Sequence, residues 1–378
     1  MSGYRAIWQG ALHGADCTPQ QVEALLAQLP HTTLYNTLPW CQGAAAALPA
    51  HRSLQVLRLH DEQGLAAWLP LTAGRERLHG MRVCSLRLLG HPFNDRVALP
   101  MRAGDPALAQ AVINALLTCP LHWDVLILSE LHHGAERALL TSALALAANP
   151  ALLGCEWRAC ASSPVLRLVP DGRAVDGGKS VANRVARARR KLAASGQVRF
   201  ERLLPQPAQV PALLAQCKAV EDRSWKGEQA LGIFSTAASR HFFHEVGARL
   251  AARGWLDIGL LYLNEQLVSY RVGFRYRQTY LDFNLAFDPA LAPCAPGRIL
   301  LDDMIRSSQQ QGLRLVDASR SSRTEPHLLA DWSQERIEHH ELWLFRRSAK
   351  GRLMHLARRW LRPLLQPLLQ RLRSRIGD

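Results

Sequence analysis

A short run of residues late in the chain combines features that suit a negatively charged ligand. Pro296, Gly297 and Arg298 stand directly before an apolar helical pattern, which Gly312 ends. The first backbone N–H groups of a helix have no acceptor within the helix and carry a partial positive charge. Glycine lets an anion approach those amides closely, and arginine can donate two parallel hydrogen bonds to phosphate. The pattern predicts a diphosphate site, although a Pro-Gly pair is equally typical of a turn with a solvated arginine.

The same series of secondary-structure elements occurs twice along the chain, and the helix that would hold this site is part of the second copy. Residues 54–71 and 256–274 each have the pattern of two strands joined by a tight turn. Each pair is followed by a strand, a loop, a helix and another strand, with the helices predicted at about 105–118 and 298–311. The same order twice predicts a duplicated unit with an α/β (α+β) fold.

Composition narrows the class of protein and of partner. The chain has 378 residues and a formal net charge of +15, which favours an anionic partner such as a nucleotide, a nucleic acid or a lipid headgroup. Eight cysteines without a CxxC motif predict reduced, buried thiols. No signal peptide and no apolar run of the length of a membrane span, about 18–20 residues, are recognisable. We therefore expect a cytoplasmic protein.

Two basic helical segments stand out from the rest of the chain. Residues 180–194 combine an apolar stripe with five arginine and lysine residues, and residues 349–378 form a basic amphipathic tail that Pro363 and Pro367 would kink. The first segment lacks the interleaved aromatic residues that are typical of proteins that bind single-stranded nucleic acid, so nucleic acid is not the favoured partner. The tail suits an anionic membrane surface or a partner helix, and packing on the protein body is the alternative.

Taken together, the motifs resemble the acyl-CoA-binding core of the GNAT acyltransferase superfamily. The closer resemblance is to its CelD-like branch, named for cellulose biosynthesis, which carries two such modules in one chain and is related in plan to Fem-type aminoacyltransferases. Four stretches carry it: KSVANRVARARRKLAASGQVRFERL, EDRSWKGEQALGIFS, ARGWLDIGLLYLNEQLVSYRVGF, and APGRILLDDMI with GLRLVD. The resemblance implies tandem modules, each a mixed, mostly antiparallel sheet flanked by helices. The expected units are residues 1–168, residues 169–345 with the acyl-CoA site, and the tail 346–378.

The resemblance implies direct transfer of an acyl group from acetyl-CoA or another acyl-CoA to an amine, with no metal. The pantetheine arm would lie between splayed strands near residues 280–287. The basic helix 180–194 could hold the 3′-phosphate; the alternatives are a nucleic acid and, more commonly for such helices, a solvated charged face. The amine-bearing acceptor would be a sugar or envelope precursor, used in exopolysaccharide or cell-envelope synthesis at the inner face of the membrane. The residues implied to bind the cofactor are Pro296, Gly297, Arg298, Ile299 and Leu300.

An attacking amine must lose a proton, so the resemblance also implies a base. Asp317 ranks first because it matches the strand-end aspartate of the branch, and Asp282 ranks second. The further candidates are Glu221 and Asp222. Asp317 could instead cap a helix or form a salt bridge to Arg320 or Arg323. Trp225, Lys226 and Tyr280 are candidates for the acceptor or cofactor channel; the alternative for the first two is a buried tryptophan beside an exposed lysine.

Other reactive side chains lack the companions that their chemistry needs. His241 and His244 lie one helical turn apart, as metal ligands can, but no third ligand is near in sequence, which favours surface histidines. Cys217 and Cys294 have no Cys-His pattern that would support a nucleophile. We expect small buried thiols at both positions.

One segment departs from the pattern of the branch. After Asp317 the branch has a glycine-containing turn and a Tyr-Lys pair, whereas residues 318–332 read ASRSSRTEPHLLADW. Two other functions therefore stay open. One is a non-catalytic adaptor in a membrane-associated polysaccharide assembly, and the other is a Fem-type transferase that uses aminoacyl-tRNA.

Overall fold

The computed structural model describes residues 3–29, 31–132, 134–147, 149–169, 177–320 and 327–361. Within them, a single mixed sheet runs through the whole molecule. Its strands are β1 Arg5–Gln9, β2 Arg52–Asp61, β3 Gly64–Leu78, β4 Met81–Leu88, β5 Val125–His132, β6 Leu152–Arg167, β7 Val198–Leu203, β8 Leu256–Leu263, β9 Gln266–Tyr276, β10 Thr279–Phe287, β11 Leu315–Asp317 and β12 Arg336–Arg346. The helices are α1 Pro19–Gln28, α2 Leu38–Ala46, α3 Pro106–Leu117, α4 Ala135–Leu146, α5 Lys179–Ala193, α6 Val210–Arg223, α7 Trp225–Glu228, α8 Ala237–Ala251, α9 Pro296–Gln310 and α10 Ala349–Leu356.

The strand order confirms the predicted duplication. The strand order in the sheet is β1-β2-β3-β4-β5-β12-β6-β11-β10-β9-β8-β7. Strands β1 to β5 follow one another inward from one edge, and β7 to β11 follow one another inward from the other edge. In each half the hairpin strands are antiparallel, and the strand before the long helix pairs in parallel with the strand after it. These parallel pairs, β4 with β5 and β10 with β11, are the only departures from antiparallel pairing among the described strands.

The last strand of each repeat lies in the other half of the sheet. Strand β6 follows the first repeat in sequence but pairs with β11, whereas β12 ends the second repeat and pairs with β5. The two exchanged strands also pair with each other at the centre of the sheet, over the whole of β12 and residues 152–164 of β6. The predicted boundary between the two sequence units, at 168/169, falls directly after β6. That this boundary separates two domains stays a prediction. Each half of the sheet contains a strand from the other sequence unit.

Local sequence explains the two helices nearest the candidate site. In α5 the apolar residues at helical spacing, Val181, Val185, Ala188 and Leu192, are buried, and the helix packs on α9. Helix α9 ends where Gly312 adopts φ +72°, a left-handed conformation that glycine takes without steric cost. Both predicted helices are confirmed, and the observed ends differ from the predicted ones by only one or two residues.

One predicted helix is interrupted. The apolar pattern from residue 212 to 227 predicts a continuous helix, but α6 ends at Arg223 and the one-turn helix α7 follows. Ser224 between them is extended, with ψ 166°, and its hydroxyl accepts a hydrogen bond from the Lys226 N–H at 3.2 Å. A serine cap of this kind starts a new helix and redirects the chain.

The basic tail begins as a helix that is packed on the body. Met354 of α10 is buried, and a π-helical turn, Ala357–Leu361, follows. Leu353 and Leu356 are 54% and 53% exposed. The rest of the predicted tail, 362–378, lies outside the described residues. None of the described helices has the length and apolar character needed to cross a membrane.

The cysteines are all free thiols, as predicted, but they are not all buried. Four of them are buried: Cys17, Cys41, Cys119 and Cys217. Cys155 is exposed, and Cys84, Cys160 and Cys294 are half-buried. The expectation of a buried thiol is therefore right for Cys217 and wrong for Cys294.

Candidate active site

An opening in the sheet marks the candidate site. Strands β10 and β11 pair in parallel at residues 279–281 and 315–317, and there β11 ends. Strand β10 continues to Phe287, and a β-bulge between Asp282 and Asn284 bends it at the point where the pairing stops. We call the space between residues 282–287 and the chain that follows Asp317 the wedge. It lies where the resemblance implies the pantetheine arm.

Helix α9 begins at the far end of the wedge with an uncapped N-terminus. The residue before it, Ala295, adopts φ +47° and has no side chain that could accept from the first amides. The N–H groups of Arg298 and Ile299 donate to the Ala295 carbonyl at 3.0 and 3.2 Å. The Gly297 N–H has no acceptor among the residues that the structure describes. This end of the helix therefore retains positive potential and one donor without an acceptor, at a residue that is itself buried.

The equivalent position in the N-terminal repeat is closed. Asp105 precedes α3, and its carboxylate accepts from the N–H groups of Ala107 and Leu108 at 2.9 and 3.0 Å. The loop before it fills the gap beside β5, where Val97 forms a parallel bridge with Leu131. An anion at α3 would meet a carboxylate, so of the two repeats the C-terminal one offers the anion site.

Arg298 is not a solvated arginine. It forms an ion pair with Asp331, which also lies 3.4 Å from the guanidinium of Arg184 on α5. Two guanidinium groups and one carboxylate thus meet beside the start of α9, with a net positive charge. Asp331 comes from the segment that departs from the family pattern.

The first candidate base, Asp317, is fully buried at the end of β11. It forms an ion pair with Arg96, which lies in the loop before α3 of the other repeat. A salt bridge was one of the predicted alternatives, but the partner differs. Arg320 lies 3.3 Å from Glu130 instead, and Arg323 is outside the described residues. Asp317 stays a prediction as a base, and its carboxylate has a buried counter-ion.

The second candidate base, Asp282, is linked to the start of α9. It lies on the β10 bulge, is 2% exposed, and forms an ion pair with Arg271 of β9. The same guanidinium donates to the Gly297 carbonyl at 2.9 Å. One oxygen of this buried carboxylate, Oδ1, therefore has no hydrogen-bond partner among the described residues.

The predicted alternative of a buried tryptophan beside an exposed lysine is wrong. Trp225 is the exposed residue, and Lys226 is the half-buried one. Trp225 is 46% exposed. Lys226 reaches inward, and its Nζ donates to Asn284 Oδ1 at 2.6 Å and to the Leu285 carbonyl at 2.7 Å. Burial lowers the pKa of this ammonium group to about 8, which the negative charge of Glu221 partly opposes. The lysine lies at the open edge of β10, and its role in the channel stays a prediction.

The other sequence candidates are structural or lie on the surface. Glu221 is buried, and four donors hold it: two backbone N–H groups, the Tyr270 hydroxyl and the Asn284 amide. Asp222 is exposed and pairs with Lys218. Tyr280 is fully buried in the core on the α9 side, with the Arg202 guanidinium 5.1 Å from its ring centre.

The two helix histidines do not form part of a metal-type cluster in the described structure. His241 is exposed and His244 is half-buried on α8. The one group of three such side chains within the described ranges consists of Cys84, His122 and Asp124. That group lies in a pocket lined by Arg75, Arg82 and Lys350, whose positive charges oppose a cation.

Sequence reasoning missed one side chain at the site. His327 begins the short 3₁₀ turn at Leu328–Asp331, and its Nε2 lies 3.7 Å from Asp282 Oδ2. Its side chain is 16% exposed. It is the one histidine in residues 318–332, the stretch where the family pattern fails, and that coincidence was the available signal.

The family comparison agrees with this geometry. Residues 179–327 match the family described as an acetyltransferase (GNAT) domain, a range that begins with α5 and ends at His327. The C-terminal repeat is thus similar to a GNAT acetyltransferase domain. The match supports an acyltransferase in general, and membership of the CelD-like branch stays a prediction. No curated protein sequence matches the chain.

Solved structures show that the chain has the tandem GNAT fold over 86–90% of its length. FemX is 9% identical, with 86% of this chain and 95% of that chain covered and a TM-score of 0.57. L-PGS from Bacillus licheniformis is 14% identical, with 90% and 96% covered and a TM-score of 0.53. A tandem GNAT protein from the clavulanic acid biosynthesis pathway is 12% identical, with 90% and 98% covered and a TM-score of 0.50. At these identities the likeness concerns the fold alone, and it confirms the predicted α/β tandem architecture.

Proposed function

We propose that the protein is an acyl-CoA-dependent N-acyltransferase that binds its acyl donor in the wedge of the GNAT domain. The observation that carries the proposal is the contrast between the two repeats. In the C-terminal repeat β10 has no strand partner within the described part of the chain on its β11 side beyond Leu281, and the helix that follows starts without a side-chain cap, whereas Asp105 and Val97 close the same place in the N-terminal repeat. The acceptor would bear an amine, as in an amino sugar or an envelope precursor.

The diphosphate of the donor would bind at the first turn of α9, residues 296–300. The Gly297 N–H supplies a backbone donor there, and Arg298 and Arg184 supply positive charge against the single carboxylate of Asp331. The pantetheine arm would run along the edge of β10, where the Leu285 carbonyl accepts a hydrogen bond from Lys226 Nζ in this structure. The thioester would then lie near the bulge at Asp282.

Asp282 suits the role of base better than Asp317. Both carboxylates are paired with a buried arginine, Arg271 for Asp282 and Arg96 for Asp317, so pairing does not separate them. Asp282 lies on the bulge of β10, beside the wedge, whereas Asp317 lies where β11 is still paired with β10 and β6. In the proposed step the amine nitrogen bonds to the thioester carbon, and its proton passes to Asp282. The C–S bond then breaks, and CoA leaves with the electron pair as a thiolate. Holding amine and thioester together supplies much of the rate.

Calorimetry with acetyl-CoA tests the donor site. We expect saturable binding, and we expect Arg298→Ala to weaken it about 10- to 100-fold, the value of one or two charge-assisted hydrogen bonds. Arg306→Ala is the matched control, because Arg306 lies two turns later on α9 and pairs with Asp302. Failure to bind acetyl-CoA or any longer acyl-CoA would overturn the proposal, and so would equal weakening in the two variants.

We also propose that residues 349–378 dock the protein on an anionic membrane surface. The half-exposed Leu353 and Leu356 support this, because they place apolar side chains on the surface of the helix that precedes residues 362–378. Met354 of α10 is buried, and Arg358 of the turn that follows is buried against Glu156, so residues 349–361 belong to the body and the deletion to make is 362–378. The deletion should abolish sedimentation with vesicles of anionic phospholipid and leave acetyl-CoA binding unchanged. Equal sedimentation of both proteins would contradict docking through the tail.

A further inference from the structure

The segment after β11 brings an imidazole into the wedge that no step above uses. The 3₁₀ turn at Leu328–Asp331 begins at His327, which lies against the bulged part of β10. Its Nε2 is 3.7 Å from Asp282 Oδ2, a distance too long for a hydrogen bond. Among the described residues no other group accepts from Nε2. This ring nitrogen therefore has its hydrogen-bonding capacity free at the candidate site.

The other ring nitrogen determines where the proton lies. The Leu329 N–H donates to Nδ1 at 3.1 Å, so Nδ1 must offer its lone pair. A neutral ring with Nδ1 as acceptor carries its hydrogen on Nε2. The backbone turn thus fixes the tautomer and leaves an N–H group on the side of the ring that faces Asp282.

The surroundings keep this ring neutral at physiological pH. Burial lowers the pKa of His327 to about 4, with smaller lowering effects from the positive charges of Arg271 and Lys226. The negative charge of Asp282 acts in the opposite direction and does not outweigh burial. A neutral imidazole whose free nitrogen carries hydrogen can donate a hydrogen bond, but it cannot accept the proton of an attacking amine at that atom.

We propose that His327 is a further catalytic residue of the acyl-transfer site, whose Nε2–H donates a hydrogen bond to the carbonyl oxygen of the acyl thioester. The inference rests on the proposed function. When the amine attacks, the π electrons of the carbonyl move onto that oxygen, and a donor already in place stabilises the charge. Asp282 takes the amine proton, and Arg271 balances the negative charge of Asp282. Neutral imidazole acts in this way on a carbonyl in other enzymes.

Two substitutions of His327 separate hydrogen-bond donation by Nε2 from the structural role of Nδ1, which accepts from the Leu329 N–H. His327→Asn keeps a side-chain oxygen that can cap the Leu329 N–H but has no donor at the Nε2 position. His327→Gln places an N–H group near the position of Nε2. Donation by Nε2 thus predicts that the glutamine variant resembles the unsubstituted protein, whereas the asparagine variant does not.

Infrared spectroscopy of bound acetyl-CoA labelled with ¹³C at the thioester carbonyl measures the hydrogen bond directly. We expect the carbonyl band to lie at lower wavenumber on the unsubstituted protein and on His327→Gln than on His327→Asn, with similar calorimetric affinity for all three. An identical band on His327→Asn, with binding intact, would overturn the role of His327 and leave the proposed function standing. Absence of binding to the unsubstituted protein would overturn the proposed function itself.

Acetyl-CoA consumption gives a second readout. Release of free CoA with water as the acceptor should fall about 10²- to 10³-fold in His327→Asn, the usual effect of losing one oxyanion donor. His327→Gln should retain most of the rate. A glutamine variant as slow as the asparagine variant would contradict donation and indicate a base that needs the imidazole ring.

Discussion

Arg96 of the N-terminal repeat and Asp317 of the C-terminal repeat form an ion pair at the centre of the molecule. Their side chains are 8% and 0% exposed. The pair lies where the exchanged strands β6 and β12 meet, close to a second buried group in which His339 contacts both Ser163 and Glu130, at 2.7 and 2.9 Å. The N-terminal repeat thus supplies the counter-ion of a candidate site residue as well as a strand of the sheet.

Removing one member of this pair should destabilise the protein strongly. Arg96→Met leaves the Asp317 carboxylate buried without its counter-ion, and we expect the free energy of unfolding to fall by about 3–5 kcal/mol. Adding Asp317→Leu to that variant should recover much of the loss, because the unpaired charge is gone. Urea denaturation of the two single variants and the double variant measures this coupling. Strictly additive losses would show that the two side chains do not interact.

Asp95 should make stability depend on pH. Burial and the nearby charge of Glu130 raise the pKa of its carboxyl to about 7, from 3.8. The folded protein therefore holds a proton that the unfolded chain releases between about pH 4 and pH 7, and stability falls as the pH rises through that range.

Asp95→Asn removes this titration. Its side-chain oxygen can still accept from the Tyr35 hydroxyl, which now donates to Asp95 at 3.1 Å. We expect the variant to exceed the unsubstituted protein in unfolding free energy by on the order of 2 kcal/mol at pH 8, and to equal it near pH 4. Denaturation at the two pH values measures the difference. The same difference at both would contradict a raised pKa.

Lys226 should show the opposite dependence on pH. Its pKa is lowered by burial from 10.5 to about 8, so the unfolded chain binds more protons between pH 8 and pH 10.5. Stability attributable to Lys226 therefore rises with pH across that range. Measured against Lys226→Met, which removes the titration, the unsubstituted protein should gain unfolding free energy from pH 8 to pH 10. A constant difference would show that the ammonium group is not desolvated.

The contrast between the repeats predicts a stoichiometry. Because the chain itself fills the wedge of the N-terminal repeat and Asp105 caps α3, we expect one acetyl-CoA per chain by calorimetry. Asp105→Ala should leave that number unchanged, since Val97 still closes the gap. Two molecules bound per chain would contradict the closed state of the first repeat.

Much of the fold could be predicted because local patterns specify it. Both hairpins, the buried stripe of α5 and the start of α9 follow from apolar spacing and from turn residues such as Gly312. The interruption at Ser224 and the inward direction of Lys226 could not be predicted in this way. They depend on how α6 meets the edge of β10, and a residue's neighbours in sequence carry no record of that contact.

The sequence by itself determined that one α/β unit is repeated and that its second copy begins a helix with Pro296 and Gly297, because periodicity and turn chemistry are local properties. Only the tertiary structure decided which copy is open, that β6 and β12 exchange places, and that Arg96 meets Asp317 and His327 approaches Asp282. Those partners are separated by 45 to more than 200 residues, and packing of the sheet is what brings such distant side chains within reach.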